Sequence, residues 1–134
     1  MIKQVLIVNK KLGMGRGKVG SQCGHGATKV FFDRGTITEV KDNVEAPYMM
    51  HIPLTKEMHE WVKGIFTKIV LYVNSDEELR ELKRRADEMG IVNAIIEDCG
   101  LTAFHGIPTR TVLAIGPDNA TRIDSLTSGL PLLN

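Results

Sequence analysis

Only two cysteines, Cys23 and Cys99, occur in the 134 residues, and aromatic side chains make up 5% of them. So little cysteine excludes a disulfide-framed scaffold, and two free thiols in a reducing compartment are expected. So few aromatics argue against an extended stacking platform for single-stranded RNA. No apolar run approaches the roughly 20 residues that span a bilayer. Met1-Ile2-Lys3-Gln4 leads into a strand-like stretch without the features of a secretory leader, so a cytoplasmic location with no membrane partner is expected. Metal-ligand spacing is also missing. His51, His59 and His105 form no His-Glu-x-x-His pattern, so no metal site is expected.

What is present is ordinary for a globular protein: 43% apolar and 25% charged residues. The length suits one domain over residues 1–134 with a core that needs no staples. The net charge of +1 conceals an asymmetry. Residues 1–34 carry seven basic side chains against Asp33 alone, a net of +6 that leaves −5 on the remainder. Such an imbalance suits a basic face that meets phosphates, although a solvated surface of mixed charges is the plainer reading of charge alone.

Lys3 to Asn9 is a short, β-branched apolar run and reads as a buried strand. The glycine loop Gly13-Met14-Gly15-Arg16-Gly17 follows, and apolar positions recur at helical spacing from Lys18 to Arg34. This helix carries Gly20, Gly24 and Gly26, which implies close packing on the sheet or a ligand beside it. Residues 35–53 alternate around the turn signal Lys41-Asp42-Asn43 and suggest a small β-hairpin insertion. Thr55 caps a short helix reaching Trp61 and Gly64, and Thr67 to Val73 is a second core strand. Ser75 with Glu78 forms a capping box for a helix that stops near Met89-Gly90. Val92 to Glu97 and Arg110 to Ile115 are further strands, and a last helix starts at Pro117 and runs to about Leu126. The order implies a three-layer α/β/α fold with a mixed, mostly parallel four-stranded sheet, in which the last two strands are antiparallel neighbours.

Gly15-Arg16-Gly17-Lys18-Val19-Gly20 matches the dinucleotide fingerprint literally and lies between strand and helix. The acid expected at the end of a following parallel strand is missing, because Glu39 falls in the hairpin segment. A phosphate-binding P-loop is excluded, since Val19 follows Gly17-Lys18 and Leu12 stands where the first glycine belongs. What survives is generic: free N–H groups at a helix N-terminus with Arg16 and Lys18 beside them suit an anion.

The same stretch, Met14 to Gly26, resembles the signature of peptidyl-tRNA hydrolases of the archaeal and eukaryotic type, a Met-Gly-Lys-Gly-Lys run leading to Ala-Gln-Cys-Ala-His-Ala. Three more blocks agree in order. Trp61 precedes Lys68 to Val73; Glu97-Asp98-Cys99-Gly100-Leu101-Thr102 resembles Arg-Asp-Ala-Gly-x-Thr; and Thr109 to Pro117 resembles the strand that closes the site. The resemblance leaves out about residues 35–57. It implies hydrolysis of the ester joining a peptide to tRNA, a homodimer, and catalysis without metal or cofactor. Carried over residue by residue, it makes Asp98 and Thr102 catalytic and puts Thr109 and Thr111 in the site. Gln22 and His25 match the polar pair on the helix, and Gly17 belongs to the loop. The catalytic lysine of the glycine loop falls on Arg16, which keeps the charge but cannot donate a proton. Lys18 matches a second family lysine able to share that work. Ile65-Phe66-Thr67 stands where the family has a Gly-Gln pair, and the 102–111 loop is one residue longer.

Elementary chemistry is consistent with those assignments. Ester hydrolysis needs an oriented water, donors for the oxyanion and charge to hold the substrate. Asp98 and Thr102 suit the first task, and Arg16, Lys18 and backbone N–H groups the others. Each has a plainer reading: Asp98 before Cys99-Gly100 is also a turn former, and Thr102 and Thr111 ordinary loop and strand residues. Cys23 and His25 lie two apart on a helix and do not face each other, so Cys23 is expected in the core. A catalytically weak tRNA-binding adaptor with the same fold is the alternative, motivated by Arg16.

Overall fold

The computed structural model describes residues 1–100 and 104–134. Six strands and four helices alternate as β1 (Ile2–Asn9), α1 (Arg16–Phe32), β2 (Thr36–Glu39), β3 (Tyr48–His51), α2 (Lys56–Lys63), β4 (Lys68–Val73), α3 (Asp76–Glu88), β5 (Asn93–Asp98), β6 (Thr109–Asn119) and α4 (Ala120–Thr127). The main sheet has the order β4-β1-β6-β5. β1 pairs parallel with β4 and antiparallel with β6, which pairs antiparallel with β5. Three strands therefore share one direction. The reversed strand β6 sits between two of them, which leaves one parallel ladder where a mostly parallel sheet was expected. The antiparallel pairing of the last two strands is as anticipated.

Alternation along β1 assigns its two faces. Val5 and Ile7 enter a core with Leu79, Leu82 and Ala86 of α3 and Ile123 and Leu126 of α4. Leu6 and Val8 point the other way, to Cys23 and Val30 of α1 and Met58 of α2. Two helices on each side give the three layers. Gly26 explains part of the glycine content of α1, because a Cβ there would lie 3.3 Å from Ala114 Cβ. Gly20 and Gly24 face open space instead, so packing does not account for them.

The caps follow the sequence. Thr55 accepts from the Met58 N–H at 3.0 Å, and Ser75 from the Glu78 N–H at 3.1 Å. Two boundaries differ. β6 continues through Pro117 to Asn119, and the last helix begins at Ala120, capped by Asn119. The hairpin β2–β3 is a separate two-stranded sheet with every strand residue exposed. Among the described residues no helix is long and apolar enough to cross a membrane.

Candidate active site

β1 and β5 run in the same direction, so their carboxyl ends lie at one edge of the sheet, where antiparallel β6 begins. Open α/β sheets bind ligands at such an edge. Here it brings together the glycine loop after β1, the start of α1, Asp98 at the end of β5, and Thr109, which pairs with Asp98 across the ladder.

Lys18, in the first turn of α1, forms an ion pair with Asp98 through Nζ and Oδ2. The other carboxylate oxygen accepts the Gly100 N–H at 2.6 Å. One helical turn beyond Lys18, Gln22 Nε2 approaches Asp98 Oδ2 at 3.5 Å, while its Oε1 accepts the Thr111 hydroxyl at 2.6 Å. Gln22 and Thr111 are both buried. A connected polar chain thus runs Lys18, Asp98, Gln22, Thr111. The Lys18 ammonium, and then the Gly100 N–H, hold the Asp98 carboxyl below its ordinary value of 3.8, with a small pull from His25.

Thr111 reaches Gln22 because of a bulge. Ile96 pairs with Val112 and Glu97 with Arg110, so Thr111 is the unpaired residue between them. Strict alternation would have sent Thr111 to the face opposite Val112; the extra residue turns it toward α1. Gly100 is equally specific. It has φ +82, and a Cβ there would lie 2.6 Å from the Ile107 nitrogen.

The remaining sequence candidates divide. Gly17 is exposed in the first turn of α1. Thr109 donates to the Ile107 carbonyl at 2.8 Å. His25 is exposed on α1. Thr102 lies outside the described residues. Arg16 is not part of the chain of polar contacts: it lines a different cavity of about 590 Å³ with Lys10, Met14, Val19 and Cys23. Lys18 instead lines a cavity of about 500 Å³ with Leu12, Gly13, Met14, Gly15, Phe104 and His105. The larger cavity therefore carries the arginine and the smaller one carries the Lys18–Asp98 pair. Cys23 is buried as expected, and burial pushes its thiol pKa up, away from a nucleophilic role.

The N-terminus of α1 has no side-chain cap and no acid in its first turn, but carries Arg16 and Lys18 there. Cations at that end oppose the helix dipole, an arrangement that favours an anionic ligand. Lys10 and Lys11 extend the positive surface. Other members of the basic segment are engaged elsewhere, Lys3 with Asp124 at 2.7 Å and Lys29 with Asp33 at 2.9 Å. Among the described residues no cluster of three His, Cys, Asp or Glu side chains is arranged to hold a metal.

Sequence reasoning missed three features. Arg110 clasps Asp76 at the start of α3 with two bonds of 2.8 Å, tying β6 to the helix after β4. The Asn9 side chain is buried, and among the described residues its Oδ1 has no hydrogen-bond partner. Phe104 and His105 both adopt left-handed backbone, φ 59 and 52, at a cost of about 1–2 kcal/mol each. Only the one-residue length difference of their loop signalled anything unusual.

The peptidyl-tRNA hydrolase PTH2 family model matches residues 2–133. The chain is 35% identical over 131 residues to the peptidyl-tRNA hydrolase of Thermoplasma acidophilum, covering 98% of this chain and 97% of that one. It is 33% identical to the peptidyl-tRNA hydrolase of Methanocaldococcus jannaschii, covering 98% of this chain and all of the other. A probable peptidyl-tRNA hydrolase 2 of Drosophila melanogaster is 33% identical, matched over 61% of its length. Since the match runs from β1 past α4 and takes in the Lys18–Asp98 pair, the chain belongs to the peptidyl-tRNA hydrolase PTH2 family.

Proposed function

We propose that this protein is a peptidyl-tRNA hydrolase in which Lys18 and Asp98 form the central pair. The observation that carries the residue assignment is the connected chain from Lys18 through Asp98 and Gln22 to Thr111 at the sheet's carboxyl edge. In the reaction, water oxygen bonds to the ester carbonyl carbon and the bond from that carbon to the ribose oxygen breaks. One proton of that water goes to the departing ribose oxygen and the other to solvent, leaving free tRNA and a peptide carboxylate.

Asp98 has a lowered pKa, so it is a weak base. Its role is to hold the Lys18 ammonium in place and to orient the attacking water. Lys18 then supplies charge for the developing oxyanion, a contribution worth about 10²–10³ in rate for a single well-placed donor. Gln22 and Thr111 fix Asp98 from behind, Thr109 stands across the ladder from it, and Thr102 completes the site in this reading. His25, Gly17 and the α1 N-terminus face the substrate. Arg16, with Lys10 and Lys11, holds phosphates of the tRNA acceptor end rather than the scissile ester.

The adaptor alternative drew its motive from arginine in place of a catalytic lysine. The Lys18–Asp98 ion pair supplies a lysine to the site and removes that motive. We further read residues 1–134 as one domain, acting in the cytoplasm as a homodimer. Sedimentation at micromolar concentration tests the dimer. Release of N-acetyl-amino acid from N-acetyl-aminoacyl-tRNA tests the activity: wild type should release it, and Asp98→Asn should not. Bound but uncleaved tRNA with the wild type would overturn the reading.

A further inference from the structure

We propose that Phe104 is the platform on which the 3′-terminal adenine of tRNA stacks, so that the ester on the adjoining ribose lies against Lys18. The inference rests on the hydrolase reading and adds to it the part of the substrate that the smaller cavity takes. That cavity, about 500 Å³, is of ligand size. Two chain segments wall it, Leu12 to Gly15 on the glycine loop and Phe104-His105 on the loop before β6. Among the described residues Phe104 supplies its one phenyl ring, and the ring centroid lies 5.9 Å from Lys18 Nζ. Lys18 is in turn paired with Asp98. A base on the ring is thus a single sugar away from the groups assigned to the ester.

Three further observations favour a flat occupant. Phe104 and His105 are held in left-handed backbone, an arrangement that concentrates at ligand sites and here sets the ring beside the lysine. The loop is braced by the Gly106 N–H on the Gly100 carbonyl at 3.0 Å, two residues after Asp98, so the ring is positioned by the same turn that positions the carboxylate. Gly13 and Gly15 present no Cβ to the cavity, and among the described residues nothing lies within 4 Å of where one would stand. Backbone on one side and a phenyl ring on the other suit a planar base, which unstacked RNA ends offer to aromatic side chains. A single ring suits a single base. That agrees with the scarcity of aromatics, which excludes only a longer platform.

The test compares two small substrates, the N-acetyl-aminoacyl ester of adenosine and the same ester of a ribose analogue without its base, by release of N-acetyl-amino acid. Stacking of one base should make kcat/KM of the wild type about five- to 150-fold higher for the adenosine ester. Phe104→Leu, which keeps an apolar side chain of similar bulk, should bring that ratio close to one, and Phe104→Tyr should preserve it. Thermal melts of both variants separate loss of the ring from loss of the fold. Equal rates on the two esters with the wild type, or an unchanged ratio in Phe104→Leu, would overturn the inference while leaving the hydrolase reading intact. A rate that follows the amino acid and ignores the base would overturn it too, by giving the cavity to the aminoacyl side chain. Absence of release from either ester and from N-acetyl-aminoacyl-tRNA would overturn both.

Discussion

The hydrogen bond between Thr111 and Gln22 gives the sharpest prediction, because stability and activity should respond to it in different ways. Thr111→Val keeps the shape of the side chain but removes the donor from a 2.6 Å bond between residues 0% and 3% exposed. Gln22 Oε1 is then buried without a partner, which costs about 1–3 kcal/mol. For 134 residues the unfolding entropy is about 0.28 kcal/mol/K, so Tm should fall by about 4–11 °C. Gln22→Leu should cost less, about 1 kcal/mol, because the Thr111 hydroxyl has the Ile96 carbonyl 3.5 Å away as an alternative acceptor. Removing both partners should cost at least about 1 kcal/mol less than the sum, since neither polar atom is stranded. Turnover should not recover, because the double variant still lacks the Gln22 amide beside Asp98. Urea unfolding of the four proteins, with release of N-acetyl-amino acid measured on each, makes the comparison. Additive losses to within about 0.5 kcal/mol would refute the bond as a source of stability. Full activity in the double variant would refute its role in positioning Asp98.

The other predictions concern single groups. Asp98→Asn should lower turnover by at least about 10²-fold while tRNA binding persists, checked by single-turnover release and by filter binding. Because the folded pKa of Asp98 is depressed, its contribution to stability is complete above the unfolded value. That contribution is lost as pH falls below the ordinary 3.8, so Asp98→Asn should flatten part of the acid limb of a pH–Tm series. Arg16→Ala should raise KM and reduce the salt slope of tRNA binding by about 1, with kcat nearly unchanged, whereas Lys18→Ala should depress kcat. Gly24→Ala, facing open space, should stabilise by about 0.5–1 kcal/mol in urea unfolding, whereas Gly26→Leu should destabilise against Ala114 and Leu6.

Much of this was legible in the sequence because local signals agreed with the fold. The Thr55 and Ser75 caps, the apolar runs of the four core strands and the turn at Lys41-Asp42-Asn43 each declare themselves within a few residues. What escaped depends on pairing between distant segments. Insertion of β6 between β1 and β5 leaves no local trace, so one parallel ladder could not be told from several. The face of Thr111 was hidden for the same reason, since a bulge is decided by the partner strand. The resemblance placed Asp98 and Lys18 near the chemistry, but only the geometry separates Lys18, on the carboxylate, from Arg16, in the neighbouring cavity. Phe104 carried little signal because its interest lies in backbone angles that composition does not encode.

The position of β6 also bears on how the protein is made. It follows the other three strands of the main sheet in the chain yet is a central one, with β1 on one side and β5 on the other. While the ribosome is still completing residues before Asn119, β1 and β5 have no strand between them, and the edge that joins Lys18 to Asp98 has no middle. Such a chain is itself a peptide esterified to tRNA. Because β6 is central, the edge that carries the Lys18–Asp98 pair is completed only after all four strands of the main sheet have been made.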